Sequence, residues 1–470
     1  MSLETPTPPA PNALRRLFGG LFATLLLAAA MAWLWGYTVD DALISCRVAW
    51  HLARGSGYRF NAAGPVVDAV TPLGWAHLLA LFGSAGPLAT LAKAKWLGAA
   101  AVVVAGFAVG RRAFERCSPA YASGLVLCLA LCAPVAAWAV SGMETGLVTA
   151  LAVAALGQGR WADLAAALAA AWRPELLPWA LCVRVGLRVQ SRASRSQAWG
   201  SGALVVAGAL LVAAARAVCF GRPAPLAVFA KPSDLEHGAS YALHAFVQTG
   251  LPLLGLAPVS LRRGAPIARL LVGAGLLHFL ALAAAGGDWM SLYRLAVPVL
   301  PSFVLAGAEL WRVAPPWASW LRLGCATALC IYLATALGPA ARGVGPARER
   351  LVAAAQQPLA GVQVVAALDV GWVGAVSDFT VVDLAGVTDE AVAMLPGGHT
   401  SKRVSDALLR GRQVDALVLL SAPGAPAGAA DYAREVERRV ALSDSVRDFR
   451  VVARLPLGAT TQAYVVLRKP

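Results

Sequence analysis

The sequence predicts a polytopic α-helical membrane protein with about eleven transmembrane helices and a C-terminal extracytoplasmic α/β domain. Three observations carry this expectation. The 470 residues are 59% hydrophobic and only 14% charged, whereas soluble domains carry about 25% charged residues. Apolar runs of spanning length recur from residue 17 to residue 338. From Gly345 onward the pattern changes to short strand-like runs alternating with polar helices. A soluble cytosolic enzyme, a disordered chain and a repeat-built fibre are excluded together.

The net charge of +15 is unevenly placed. Residues 1–344 hold 26 basic and 12 acidic residues, and 345–470 hold 14 and 13. A basic excess confined to the apolar part fits loops that fix membrane orientation, so no nucleic-acid partner is expected. All eight cysteines precede residue 344 and most sit in apolar runs. They read as small buried hydrophobes, with neither zinc-ligand spacing nor a disulfide framework.

The first span is expected at 17–36, after Arg15 and Arg16. Its Ala-rich end resembles a signal-peptidase site, but it reads as an uncleaved anchor because the acidic motif behind it needs fixing at the membrane. Further spans are expected at 94–110, 119–140, 144–157, a broken pair at 161–172 and 175–187, then 198–215, 249–260, 266–285, 294–312 and 317–338. The run 72–88, interrupted by Gly83-Ser84-Ala85-Gly86-Pro87, reads as an interfacial helix or shallow hairpin. With a cytoplasmic N-terminus, Arg111, Arg112, Arg116, Arg160, Arg188, Arg192, Arg195, Arg262, Arg263 and Arg312 all fall inside. This makes 37–93 the first external loop of an inner-membrane protein and places the C-terminal domain outside. Trp33, Trp35, Trp289 and Trp311 lie near span ends and read as an interfacial belt.

The chain divides into 1–344 and 345–470. In the second part strands are expected at Val362–Leu368, Thr380–Leu384, Val414–Leu420, Val451–Leu455 and Ala463–Leu467, with helices at 401–411 and 431–442. No internal repeat is visible, which weakens a transporter reading built on inverted repeats.

Acids are scarce before residue 345, so those near membrane boundaries are informative. Asp40 and Asp41 are the only adjacent acidic pair there. Either could cap the helix that follows. One cap needs one carboxylate, and the second is left for chemistry. Arg47 shares a helical face with Asp40 and could neutralise it. A carboxylate on the outer side of a membrane suits a general base for a sugar hydroxyl. Nucleotide sugars are not available there, so the donor would be lipid-borne, with a phosphate leaving group that needs cations.

The segment DDALISCRVAWHLARGSGYRFNAAGPVVDAVTPLGW resembles the first external loop of bacterial GT-C glycosyltransferases with a DDAYIS-type signature. It is most similar to that of mycobacterial terminal β-(1→2) arabinofuranosyltransferases. The resemblance continues in order through SGMETGL (141–147), WRPELL (172–177), VFAKPS (228–233), GGDWMSLYRLAVPVLP (286–301) and DVGWVGAVSDFTVVDLAGVTDEAVA (369–393). Leu43, Cys46 and Ser291-Leu292 depart from the usual pattern and bear on sugar identity more than on reaction class. The resemblance implies a GT-C-like catalytic part in 1–344. It implies inverting transfer of a monosaccharide, arabinofuranose as the specific expectation, from a polyprenyl-phosphate donor to an envelope glycan. Asp40 and Asp41 take the catalytic acidic positions, with Asp40 expected as base and Asp41 orienting it or the acceptor.

Arg294 is expected at the donor phosphate, where its planar fork suits the geometry. Asp288 would bind a sugar hydroxyl or fix an arginine. Arg173 and Glu175 flank Pro174 in a broken helix and either pair structurally or touch the donor. Lys231 is a candidate second phosphate ligand. Glu144, Asp68 and Arg47 are candidates for acceptor or loop support. His51 and His77 read as polar surface residues. No cofactor is expected; the aspartate pair could accept a divalent cation, but no spacing demands one. Asp369, Ser377, Asp378 and Asp383 fall in loops around predicted strands without a nucleophile–histidine pairing, so the C-terminal domain reads as acceptor-binding, lid or scaffold. Two rivals stand beside this reading: a transporter or lipid flippase, and a non-catalytic envelope assembly protein.

Overall fold

Between Leu17 and Trp33 the chain has no charged residue and one polar side chain, Thr24, so in lipid its backbone can be satisfied only internally. It forms one helix, α1 (Ala13–Trp33). The structure is a computed structural model describing residues 13–83, 85–232, 234–255, 257–261, 265–425, 431–458 and 460–470. Arg262, Arg263, Ser84 and Ser233 lie outside the described residues.

Among the described residues six helices are long and apolar enough to cross a membrane. They are α1, Pro87–Arg116, Arg195–Phe220, Pro266–Ala284, Arg294–Trp311 and Pro316–Ala355. Pro119–Leu131 and Ala133–Ala139, bent by 57° at Cys132, make a seventh if counted as one span. Six or seven replaces the expected eleven. The other expected spans are helices too, but short: Thr145–Ala155 has 11 residues, Arg160–Trp172 has 13, Leu177–Gln190 has 14 and Leu251–Leu254 has 4. Eleven residues rise only about 16 Å, half a hydrocarbon core. The sequence count took both halves of the broken pair at 161–172 and 175–187, and the run 249–260, as spans, but the breaks at Arg173-Pro174 and Gly255 leave helices too short to cross.

Helix Arg195–Phe220 has only 11% of its most apolar window buried, and Leu210, Leu211 and Val218 stand more than 60% exposed. A face this apolar is solvated by lipid, not water. Small residues set the closest packing. A Cβ on Gly110 would run into the Gly19 carbonyl oxygen, so α1 and Pro87–Arg116 touch backbone to backbone there.

Helix Pro316–Ala355 has 40 residues, about 60 Å of rise and twice a bilayer core. It crosses the expected boundary at 344/345 without a break. The expected span stopped at residue 338, yet Pro339 and Pro346 are both accommodated inside the helix. Near them the Gly345 N–H donates to the Gly36 carbonyl (2.7 Å), tying the exit of α1 to this helix.

The helix delivers the chain into a five-stranded sheet. Its strands are β1 (Val364–Ala367), β2 (Thr380–Asp383), β3 (Ala416–Leu420), β4 (Arg450–Pro456) and β5 (Ala463–Arg468), in the order β2-β1-β3-β5-β4. β1 pairs parallel with β2 and β3, and β5 is antiparallel to β3 and β4. All five expected strands are present. Buried Val365, Ala366, Leu417 and Val466 form the sheet's centre. The expected helices at 401–411 and 431–442 shorten to Asp406–Gly411 and Glu435–Ala441.

Candidate functional site

Helix α2 (Asp40–Ala53) starts where the chain leaves α1. Val39 occupies its N-cap position with extended backbone and no side-chain cap. Asp40 therefore caps something else. Its Oδ2 accepts from Gly371 N (2.7 Å) and its Oδ1 from Trp372 N (2.9 Å), the first N–H groups of the short helix Val370–Val373. Gly371 makes this approach possible: a Cβ there would strike the Asp40 carbonyl and stand 2.9 Å from its Cγ.

The rest of α2 is bound to the sheet domain by Arg47, which is fully buried. Its guanidinium donates to the carbonyls of Phe60 (2.7 Å), Gly374, Ser377 (2.8 Å) and Phe379 (2.7 Å). The expected neutralisation of Asp40 by Arg47 is thus replaced: four carbonyls satisfy its fork, with Asp378 at 3.8 Å. His51, expected on the surface, is buried and bridges Asp378 Oδ1 (3.0 Å) and the Arg59 carbonyl (3.0 Å).

Where α2 meets the sheet lies a cavity of about 330 Å³. Asp40, Asp41 and Ile44 line one wall, and Lys231, Trp289 and Met290 another. The sheet domain supplies Asp369, Asp383, His399 and Arg434, and the long helix supplies Arg348. Asp369 follows β1 and Asp383 ends β2, so the cavity opens on the carboxyl ends of parallel strands, where α/β sheets place ligands.

Asp41 has no hydrogen-bond donor holding its carboxylate among the described residues. Its nearest cation is Lys231, with Nζ 3.9 Å from Oδ2. Burial pushes Asp40 up to about 6, aided by Asp369 and opposed by Arg348 and the two backbone N–H groups. Burial also pushes Asp369 up, but Arg434 and Arg348 overcome it and hold that carboxyl below the usual range. Asp369 Oδ2 accepts from Arg434 Nη1 (2.8 Å) and from the Tyr464 hydroxyl (2.5 Å). Asp383 is likewise pushed up by burial, to about 6, although it accepts from Ala385 N (2.8 Å), Thr388 N (2.7 Å) and Thr388 Oγ1 (3.0 Å). Burial and then Lys231 push His399 down to about 4, leaving a neutral imidazole at pH 7.

Trp289 is 57% exposed at the cavity wall, stacked on His237 with ring centroids 3.9 Å apart and 5.3 Å from His399. An interfacial belt does not explain an indole stacked on one imidazole, with a second tilted at 55° nearby. Such a platform suits the apolar face of a sugar ring.

Several expected site residues lie outside the cavity lining. Arg294 does not line it: its Nε sits 3.0 Å from Asp288 Oδ2, and its guanidinium lies 5.6 Å from the Trp138 ring centroid. Asp41 and Glu144 remain within its electrostatic reach. Glu144 is fully buried and pairs with Arg173, whose Nη1 is 3.6 Å from Glu175 Oε1. This trio belongs to the helix bundle. Asp68 pairs with buried Arg216 against Thr71, at a separate small cavity with Arg222 and Glu390. Of the expected residues, Asp40, Asp41 and Lys231 come together.

Trp289, Arg348, Asp369, Asp383, His399 and Arg434 were not in the expected site. The signal available for two of them was position: an acid just after or at the end of a parallel strand. Among the described residues no group of three or more His, Cys, Asp or Glu is arranged to hold a metal ion.

One domain family matches the chain, described as a domain of unknown function (DUF8728), over residues 346–466. This covers the sheet domain and the end of the long helix, and none of the helices before it. No curated protein matches the chain.

Proposed function

We propose that this chain is a membrane glycosyltransferase of GT-C type, using a polyprenyl-phosphate monosaccharide and an envelope glycan acceptor on the extracytoplasmic side. Arabinofuranose is the sugar the sequence resemblance favours. Asp41 is the general base. It takes the proton of an acceptor hydroxyl as that oxygen attacks C1 of the donor sugar from the side opposite the phosphate. The C1–O bond to phosphate breaks with inversion, and polyprenyl phosphate leaves. Lys231 balances the developing phosphate charge, a point cation in the cavity lining rather than the buried Arg294.

Asp40 is a positioning residue in this scheme. It docks the sheet domain onto α2 and so fixes Asp41 beside it. Trp289 and neutral His399 offer a stacking face and a hydrogen-bonding edge to a sugar ring.

The observation that carries the reading is the division of labour in the acidic pair: both oxygens of Asp40 are held by backbone N–H groups, while Asp41 stands open in a cavity opposite Lys231. The test uses purified full-length protein in lipid nanodiscs, radiolabelled polyprenyl-phosphate pentose and an envelope glycan acceptor. Label should pass to the glycan with wild type and not with Asp41→Asn. Movement of labelled lipid across vesicles without any transfer would replace this reading with a flippase.

A further inference from the structure

A second cavity lies at the other end of the helical bundle. It has a volume of about 220 Å³, and Arg112, Gln158, Leu156, Ile267, Leu271 and Leu305 are among its lining residues. Helix α1 measures the separation. Arg16, near its start, pairs with Glu115 (3.2 Å), which also lines this second cavity. Three residues past its end, Gly36 is tied to Gly345 near the first cavity. Twenty-one residues rise about 31 Å, close to the thickness of a hydrocarbon core. The two cavities therefore open toward opposite membrane faces.

The chemistry of this cavity is split. Leu156, Ile267, Leu271 and Leu305 give it an apolar side. Its rim is ionic, and there the charges are almost all matched. Glu115 is held by Arg16, and Glu309 by Arg116 (3.2 Å) with Arg312 at 3.9 Å. Arg112 differs. Among the described residues it makes no hydrogen bond and no ion pair within contact distance, although it is half-buried and lines the cavity. Its nearest carboxylate influence is Glu115, already engaged by Arg16. A half-buried guanidinium with five unused donors beside an apolar wall is matched by an anion carried on a hydrocarbon chain.

We propose that this cavity binds the phosphate of an anionic lipid headgroup in the leaflet opposite the Asp41 cavity. Arg112 takes the phosphate oxygens, Gln158 at the rim can donate to the glycerol or ester oxygens, and the first methylenes of the chain lie along Leu156, Ile267 and Leu271. The inference requires the helices to lie in a bilayer but is independent of the proposed transferase activity.

The test compares wild type, Arg112→Gln, Arg112→Lys and Arg111→Gln, each in nanodiscs of phosphatidylcholine with and without phosphatidylglycerol. Arg111 is the exposed neighbour, stacked near Phe107 and outside the cavity. Lipids retained through detergent extraction are counted by native mass spectrometry, and thermal unfolding is followed in parallel. Wild type should retain a phosphatidylglycerol molecule and be stabilised by that lipid, with about tenfold weaker retention in Arg112→Gln. Arg112→Lys should restore most of it, which separates loss of the cation from a folding defect. Equal retention by wild type and Arg112→Gln, or equal loss in Arg111→Gln, overturns the proposal. So does equal stabilisation by inorganic phosphate in phosphatidylcholine alone, which would make the ligand a free anion.

Discussion

Replacing Asp41 and Asp40 separately should give opposite phenotypes, because the two carboxylates do different work. Asp41→Asn keeps size and polarity and removes the proton acceptor, together with the negative charge 3.9 Å from Lys231. Losing a positioned general base costs about 10²–10⁴-fold in rate. No described donor depends on the Asp41 carboxylate, so unfolding should shift by less than about 0.5 kcal/mol. Asp40→Ala removes a charged acceptor from two backbone N–H groups, at about 1.5–3 kcal/mol each. Part of this is offset, because burial disfavours the ionised Asp40 carboxyl in the folded state. The loss stays below the summed value of about 3–6 kcal/mol, because Ala also escapes the burial cost, and it is concentrated at Gly371 and Trp372. Single-turnover transfer, thermal unfolding in detergent and amide hydrogen exchange over 370–379 read the three consequences. Full activity in Asp41→Asn would refute the assignment of the base. Unchanged exchange and stability in Asp40→Ala would refute the docking role.

Because the folded state holds the Asp40 proton more tightly than the unfolded chain, wild-type stability should fall as pH rises from about 4 to about 6 and then level off. Asp383 adds a fall in the same window, so the wild-type minus Asp40→Asn difference isolates Asp40; a difference that does not change with pH would sink this. Gly371→Ala, which touches neither Asp41 nor Lys231, should destabilise by about 1–3 kcal/mol and reduce transfer, because its Cβ has no room against the Asp40 carbonyl. Normal stability there would mean the junction is looser than described. Trp289→Ala should raise the KM for a sugar substrate about tenfold with kcat little changed; a lower kcat at constant KM would remove its platform role.

Local pattern alone determined a good deal. All five strands could be placed because each is a short apolar run flanked by polar residues, and strand identity depends on only four to seven neighbours. The acidic pair stood out because acids are rare in the apolar part. Span count was not legible: a run such as 144–157 looks the same whether it crosses lipid or ends after 11 helical residues inside a bundle. The length of the last membrane helix was also hidden: the expected span stopped at residue 338, while the helix continues through Pro339 and Pro346 to Ala355.

Tertiary structure alone decided what each charge is for. Asp40 and Asp41 are indistinguishable in sequence, yet the backbone of Gly371 and Trp372, more than 300 residues away, claims one and leaves the other facing Lys231. Arg47, Arg173, Arg216 and Arg294 are spent on carbonyls or buried acids, whereas Arg348, Arg434 and His399 arrive at the cavity from elements far along the chain. The physical reason is that a carboxylate's role is set by which donors surround it in space. Those donors come from helix ends and strand ends that no sequence window contains together.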